Sequence, residues 1–213
     1  MAPPKKVVDT YKLKTWYKIV APKFLNEAEV GEVPANEDIA LVNRIIEVPL
    51  KDITRDLSHI HTTVKLRVSE IKGKTAFTKY IGHEIARTSI QPLVRKNRDM
   101  LDITISVVSK DGVEYVIKAF AITAVPGSGR QKASIRNMLN EELRAKAEST
   151  NFGDFVNQVL RGQFSGELRE KLHKVLPIKI VDVRKTALKE EFDTPEKHAN
   201  LEDEPVAATQ EAA

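Results

Sequence analysis

Alternating hydrophobic and polar positions predict a β-hairpin near the middle of the chain. Between residues 62 and 71, hydrophobic residues alternate with polar ones, which is the period of a strand with one buried face. The hydrophobic positions are Val64, Leu66 and Val68. Lys72-Gly73-Lys74 provides a turn, and residues 75–81 form the returning strand.

A second hairpin follows with a clearer turn. Hydrophobic residues alternate along 103–107 and again along 113–117, and Asp111-Gly112 between them is a dipeptide favoured in tight hairpin turns. Three further strands are predicted at residues 18–20, 44–48 and 178–184. The stretch 26–43 is acidic and shows neither the hydrophobic period of a strand nor that of a helix, so it is predicted to be a loop.

Beyond Thr123 the hydrophobic spacing changes to that of α-helices. Five hydrophobic residues between 152 and 160 have the i, i+3, i+4, i+7 and i+8 spacing of a helix that packs on a core. The helices predicted from such stripes cover residues 132–148, 152–160 and 168–176. A shorter helix is predicted to begin at Thr88, because Thr88 and Gln91 have the spacing of a capping box.

Together these elements predict an α+β fold, in which a curved antiparallel β-sheet or small β-barrel packs against about four helices. We predict a single domain over residues 19–189, preceded by an extended basic arm at 1–18 and followed by a disordered acidic tail at 190–213. The tail contains Pro195 and Pro205 and has no hydrophobic period, which is typical of disorder.

The net charge of the chain conceals a strong asymmetry. Of the 213 residues, 34 are Lys or Arg and 30 are Asp or Glu, which gives a formal net charge of +4. Residues 190–213 carry eight acids and one lysine, hence −7, so residues 1–189 carry +11. A body of that charge favours a polyanionic partner, although the solvated surface of an ordinary soluble protein explains it equally well at this stage. One hypothesis for the tail is that it limits nonspecific association.

The composition excludes several classes of site. The chain has no cysteine, which excludes disulfides, thiolate zinc sites, iron–sulfur clusters and a cysteine nucleophile, and is typical of a reducing compartment. No apolar run approaches the ~20 residues of a membrane-spanning helix. The first ten residues also lack the core of a signal peptide. We therefore expect a soluble, cytoplasmic protein with no membrane partner.

The N-terminal arm alternates basic and aromatic residues. Lysine neutralises phosphate and a flat ring can stack on an unpaired base, so this pattern is typical of a nucleic-acid-binding segment. The candidate RNA contacts of the arm are Lys5, Lys6, Lys12, Lys14, Trp16, Tyr17 and Lys18. The alternative for the two rings is that they pin the arm to the core.

Few residues suggest catalysis. His59 and His61 with His83 could imitate a trio of metal ligands, but no motif fixes a carboxylate partner for them. Residues 126–130 resemble a phosphate-binding loop only superficially, because they lack the spacing of a P-loop or of a dinucleotide-binding turn. We predict no enzyme, no metal and no cofactor, and a metal- or nucleotide-dependent enzyme is kept as an alternative.

Short motifs that occur in a fixed order along the chain carry a resemblance to a known family. They are Lys5-Lys6-Val7-Val8-Asp9, Trp16-Tyr17, Ala21-Pro22, Gly31-Glu32, Pro34-Ala35, Gly82-His83-Glu84, Arg87, Leu93-Val94-Arg95, Asp111-Gly112, Gln131 through Ala147, and Val183-Arg184-Lys185-Thr186. In this order they resemble the eS-one family of small-subunit ribosomal proteins, also called S-three-a-e, in its shorter archaeal-type form. The resemblance covers residues 5–190.

The resemblance implies a non-catalytic structural protein of the small ribosomal subunit. Such a protein binds rRNA on the platform near the mRNA exit, beside neighbouring platform ribosomal proteins, through phosphate and sugar contacts that fix orientation without reading sequence. Beyond the arm, the predicted RNA contacts are Lys23, Arg95, Lys96, Arg98, Arg130, Lys132, Arg136, Arg184 and Lys185. Residues 124–129 are neutral here but usually basic in the family, so no contact is predicted there. A free RNA chaperone or translation factor is the alternative within the binding class.

Overall fold

The computed structural model describes residues 14–189. The predictions for Lys5, Lys6 and Lys12 of the arm, and for the whole tail at 190–213, lie outside the described residues. Eight strands are present in the described part: β1 Thr15–Val20, β2 Glu29–Ala35, β3 Ile45–Pro49, β4 Thr62–Lys72, β5 Thr75–Ile85, β6 Met100–Val108, β7 Glu114–Thr123 and β8 Ile178–Leu188. The same part contains five α-helices: α1 Leu50–Thr54, α2 Arg87–Ile90, α3 Gly129–Ser149, α4 Phe152–Leu160 and α5 Gln163–His173.

The strands form one open, mixed sheet with the order β2-β1-β5-β8-β7-β6, and β4 with β3 extends from β5. Most pairs are antiparallel, but β1 runs parallel to β5, with Lys18 opposite Thr75. The predicted α+β class is confirmed. The sheet has free edges at β2 and β6, so of the two predicted forms the open sheet is correct, and the prediction of a purely antiparallel sheet is wrong at β1.

The main hydrophobic core lies between β6–β8 and the three long helices. α3 contributes four buried residues at intervals of four, so they form one stripe along the helix: Ile135, Leu139, Leu143 and Ala147. The helix begins where a capping box satisfies its first N–H groups, since Ser128 Oγ accepts from the Gln131 N–H and Gln131 Oε1 accepts from the Ser128 N–H at 2.9 Å. The predicted helices at 132–148 and 152–160 correspond to α3 and α4.

A second core joins β4 and β5 to α1 and α4. A chain of aromatic side chains connects it to the main core, and each ring centroid lies 5.1–5.9 Å from the next. In order the rings are Phe24, Tyr80, Phe152, Tyr115, Phe155 and Phe164. Such pairs contribute roughly 0.5–1.5 kcal/mol each beyond their buried area, so the chain of rings makes the two cores one packed body.

Two sequence predictions of local structure are wrong. Residues 29–35, which were predicted as part of a loop, form strand β2. Gly31 and Pro34 are compatible with this strand because it lies at the edge of the sheet. The capping box at Thr88 is not formed, since α2 begins one residue earlier, at Arg87, and no side chain caps it. The strand predicted at 18–20 begins already at Thr15.

Strands β5 and β8 cross in unusually close contact. A Cβ atom placed on Gly82 would lie 2.2 Å from the Thr186 carbonyl oxygen, so only glycine fits at this crossing. Beside it the imidazole of His83, only 2% exposed, donates from Nε2 to the Val183 carbonyl at 3.2 Å. Its Nδ1 lies 2.9 Å from the Tyr80 hydroxyl and 2.8 Å from the Thr186 hydroxyl. The crossing is therefore held by a fully buried polar network.

Among the described residues, no helix has the length and apolar character that crossing a membrane requires.

Candidate RNA-binding surface

The side chain of Asp99 joins two segments that the sequence predicted separately as basic. Its Oδ2 accepts from the Gly127 N–H at 3.0 Å and from the Lys132 ammonium at 2.9 Å. These two bonds, from Gly127 first and Lys132 second, hold the pKa of Asp99 below its ordinary value. The Asp99 backbone also exchanges hydrogen bonds with Thr123 at 2.9 and 3.0 Å. Because Asp99 directly follows the loop 95–98, this loop lies beside the first turn of α3.

We use the name Asp99 surface for the cations that this arrangement brings together: Arg95, Lys96, Arg98, Arg130 and Arg136. Four of them are exposed, and within residues 14–189 none of the five makes an ion pair. Arg98 is half-buried, and one of its Nη atoms has no hydrogen-bond partner in the described part of the chain. Lys132 differs, since its charge is compensated by Asp99. The geometry therefore favours the other five as phosphate contacts and gives Lys132 a structural role.

Replacing Asp99 with alanine should lower the melting temperature. The substitution removes the acceptor of both Gly127 and Lys132 and so releases the loop from α3. Asp99→Asn keeps an acceptor for the Gly127 N–H and should lower the melting temperature less than Asp99→Ala does. Thermal unfolding of the two variants checks this, and equal melting temperatures for Asp99→Ala and the unmodified chain would contradict the assigned role.

The two predicted contacts on β8 have different surroundings. Lys185 donates to Glu84 Oε2 at 3.1 Å, and this bond is the main reason that the pKa of Glu84 is lowered. Glu84 also attracts Lys65, which is 2.9 Å from Glu47, so ion pairs link β3, β4, β5 and β8 in one row. Lys185 is thus engaged within the sheet. Arg184 instead lines a groove of about 300 Å³ between α2 and the outer face of β6 and β8.

This groove combines an apolar floor with basic walls. Its floor consists of Ile90, Val94 and Met100, and Arg87 and Arg184 stand on its walls together with Asp102. We call it the Arg87–Arg184 groove. Arg87 belongs to one of the family motifs in the sequence but was not predicted as an RNA contact. The signal was weak, because Arg87 and Arg184 are 97 positions apart in the sequence.

Trp16 and Tyr17, the aromatic pair of the arm, lie on opposite faces of the sheet because they are consecutive residues of β1. Trp16 is 48% exposed, whereas Tyr17 is 6% exposed and packs in a small core with Leu41 and Val68. The Tyr17 hydroxyl donates to the Asp38 carboxylate, which raises the pKa of Tyr17. Tyr17 therefore anchors the strand, as the alternative proposed, and its ring is not available to a base. The stacking prediction is kept for Trp16 alone.

The remaining predicted cations lie apart from the Asp99 surface. Lys18 is exposed on β1 and 3.5 Å from Glu29, and Lys14 and Lys23 lie just before and just after that strand. β1 pairs with the beginning of β5, whereas Arg87 comes just after the end of β5. Eleven residues of strand at ~3.3 Å each separate the two regions. The predicted contacts thus fall into two regions near opposite ends of β5.

Comparison with known sequences identifies the family. A sequence model of the Ribosomal S3Ae family matches residues 3–191 of the chain. The chain belongs to the Ribosomal S3Ae family. The small ribosomal subunit protein eS1 of Sulfurisphaera tokodaii is 34% identical over 182 residues, 85% of this chain and 94% of the relative. The eS1 protein of Saccharolobus islandicus is 29% identical over 180 residues, 84% of this chain and 86% of the relative. The resemblance to archaeal-type members is confirmed.

Two of the features that suggested an enzyme, His83 and the loop 126–130, have structural roles in this S3Ae chain. His83 cannot complete a metal site with His59 and His61, because its ring nitrogens are bonded within the crossing of β5 and β8. Among the described residues no group of three or more possible metal ligands occurs. In the loop 126–130 the Gly127 N–H already donates to the Asp99 carboxylate, whose charge would repel a bound phosphate.

Proposed function

We propose that this S3Ae protein is a structural constituent of the small ribosomal subunit that holds rRNA through the Asp99 surface. Its family is one of structural ribosomal proteins, so the chain is not an enzyme and supports translation as part of the ribosome in the cytoplasm. As a member of the small subunit it binds rRNA and other ribosomal proteins. Its position on the platform near the mRNA exit, with platform proteins as neighbours and mRNA close by, is part of the proposal.

The observation that carries the RNA-binding proposal is the uncompensated charge of the Asp99 surface. Five guanidinium or ammonium groups lie on the two segments that Asp99 joins, and within the described residues none of them makes an ion pair with a carboxylate. Other lysines of the described chain, such as Lys65, Lys146 and Lys171, are instead engaged in internal ion pairs. Basic groups without internal partners are suited to phosphate, and they orient a protein on RNA without reading its sequence.

Further parts of the proposal concern the organisation of the chain. Residues 1–18 are proposed as a basic arm, 19–189 as one domain and 190–213 as an acidic tail. In this arrangement Lys14, Trp16, Lys18 and Lys23 form a second RNA-contacting region near the beginning of β5. Lys5, Lys6 and Lys12 of the arm are proposed as further RNA contacts. Arg184 is proposed as a contact beside the Arg87–Arg184 groove.

Sedimentation of small subunits tests the main proposal. The chain should remain with purified small subunits after a moderate-salt wash. A free RNA chaperone or translation factor would instead leave the particles readily as the salt concentration rises, because few phosphate contacts would be retained. Absence of the chain from washed subunits would reject the structural role.

The Asp99 surface itself is tested by the salt dependence of RNA binding. The triple variant Arg95→Gln, Lys96→Gln and Arg130→Gln should bind a small-subunit rRNA fragment about tenfold more weakly. The slope of log affinity against log salt should fall by about 2 to 3, since each lost phosphate contact removes about 0.7 to 0.9. Filter binding or fluorescence anisotropy at several salt concentrations gives both numbers.

A matched control separates location from charge. Replacing Lys110, Arg144 and Arg161 with glutamine removes the same charge from exposed positions at the second hairpin turn, in the second half of α3 and at the end of α4. This variant should keep the slope of the unmodified chain within about 1. An equal loss in both triple variants would show that the body binds RNA only through its net charge.

A further inference from the structure

The Arg87–Arg184 groove has the properties of a binding site for an acidic segment with one apolar side chain. Its floor is formed by Ile90, Val94 and Met100, and Val94 is 41% exposed although it is hydrophobic. Ile90 also packs with Phe120 and Ile122 in a small core, which lies on the face of the sheet opposite α3. The floor is therefore held firmly and is open to solvent at its surface.

The charges around the groove are mainly positive. Arg87 is exposed and Arg184 half-buried, and neither forms an ion pair within residues 14–189. Arg95 and Lys96 follow directly after Val94 at one end of the groove. The acids are Asp102 on the wall and, near Arg184, the carboxylate of Glu84, which is already bonded to Lys185. The groove region thus holds four cations and, in Asp102, one carboxylate that makes no ion pair within residues 14–189.

We propose that the segment Leu201-Glu202-Asp203-Glu204 of the tail binds in this groove when the protein is free of RNA. The segment offers one apolar residue followed by three successive acids, which matches an apolar floor beside a group of cations. Carboxylates and guanidinium groups form strong, often bidentate hydrogen bonds. The tail carries −7 against the +11 of residues 1–189, so the attraction has the right sign over the whole tail.

The length of the connection suits this contact. β8 ends at Leu188, and Arg184 lies five residues before Lys189, which is roughly 16 Å along the strand. Leu201 lies twelve residues beyond Lys189. For twelve residues, the root-mean-square end-to-end distance expected of a random coil is about 20 Å. The effective concentration of a tethered segment is highest when this distance is close to the span, so the tether favours binding.

The consequence is a regulated RNA surface, and this step rests on the proposed function. The groove adjoins the Asp99 surface at Arg95 and Lys96, so a bound tail places three carboxylates where phosphates would lie. A weak or noncognate RNA then has to displace the tail, whereas rRNA that engages the whole surface does so with many contacts at once. The tail thereby lowers nonspecific binding before assembly into the subunit.

The intramolecular contact is tested without RNA. Because the chain has no cysteine, Ala199→Cys accepts a single nitroxide spin label next to the segment. The amide NMR signals of Ile90, Val94 and Met100 should be broadened, whereas those of the turn at Gly73 should not. The broadening should disappear in the same labelled chain with Arg87→Gln and Arg184→Gln. Uniform broadening, or none at the groove, would overturn the contact.

The effect on RNA is tested with noncognate oligouridine at about 0.1 M salt. The variant Glu202→Gln, Asp203→Asn and Glu204→Gln should bind it about fivefold more tightly than the unmodified chain. The control Glu190→Gln, Glu191→Gln and Asp193→Asn removes equal charge from positions too close to Lys189 to enter the groove, and should change binding less than twofold. Equal effects of the two variants would overturn the groove as the site. Failure of every form to bind RNA would reject the proposed function but leave the spin-label result as the test of the tail.

Discussion

Replacing Gly82 with alanine should destabilise the fold by about 3 kcal/mol, at or above the upper end of the range for overpacking. The added Cβ would lie 2.2 Å from the Thr186 carbonyl oxygen and 3.3 Å from the Ala187 Cα. Both are backbone atoms, so no side-chain rotation relieves the contact and β5 must separate from β8. That movement also breaks the buried hydrogen bonds of His83 with Tyr80 and Thr186. Chemical denaturation followed by circular dichroism measures the loss.

Gly166→Ala is the matched control for this substitution. Gly166 lies inside α5, and a Cβ atom there has no neighbour within 4 Å. Alanine at an exposed helical position should stabilise the protein by roughly 0.5–1 kcal/mol, since glycine disfavours the helix. If Gly82→Ala were as stable as the unmodified chain, the close crossing of β5 and β8 would be refuted.

Acidification should destabilise the protein through His83, by about 2 kcal/mol between pH 7 and pH 5. Burial lowers the pKa of His83 from 6.5 to about 4, because the charged imidazolium is poorly solvated at the crossing. Between these two values the unfolded chain binds a proton that the folded chain does not, so stability falls as the pH falls. The stability that depends on a neutral His83 is fully present above pH 6.5 and is lost progressively as the pH falls. At pH 4 the loss totals about 3 kcal/mol.

The measurement compares unfolding free energies at pH 7 and pH 5. His83→Gln should be less stable at pH 7 but should lose about 2 kcal/mol less on acidification than the unmodified chain. His61→Gln is the control, because it removes an exposed imidazole in place of the buried one. A direct NMR titration of the His83 ring in the unmodified chain serves if the variant does not fold. A ring that titrates near its ordinary value would contradict the buried neutral state.

The elements that sequence reasoning located well are those whose burial repeats regularly. The stripe in α4 and the alternation in β4 both follow from one buried face, so they are visible without tertiary information. β2 has no such pattern, because an edge strand is exposed on most of its surface and tolerates Pro34. The short helix α1 was also beyond a periodicity argument, since five residues hold little more than one turn. A helix at α2 was predicted, but its capping box was not formed.

The candidate site was predictable as a set of charges but not as an arrangement. The basic residues were visible individually, whereas the partners that neutralise some of them are distant in sequence. Lys132 is bonded to Asp99 and Lys185 to Glu84, which lie 33 and 101 positions away. Likewise nothing local distinguishes Tyr17, which is buried, from Trp16, which is not. Only the pairing of strands decides which cations and rings remain available to RNA.

The place of β8 in the sheet also determines when the protein can complete its fold during its own synthesis. β8 lies between β5 and β7, yet it is the last strand along the described chain. Ile85 and Leu188, the ends of β5 and β8, are 103 residues apart, so a ribosome that adds about 5–20 residues per second needs roughly 5–20 s to supply the missing strand. During that interval the nascent β5 and β7 each present an unpaired edge, which is the kind of surface that chaperones protect.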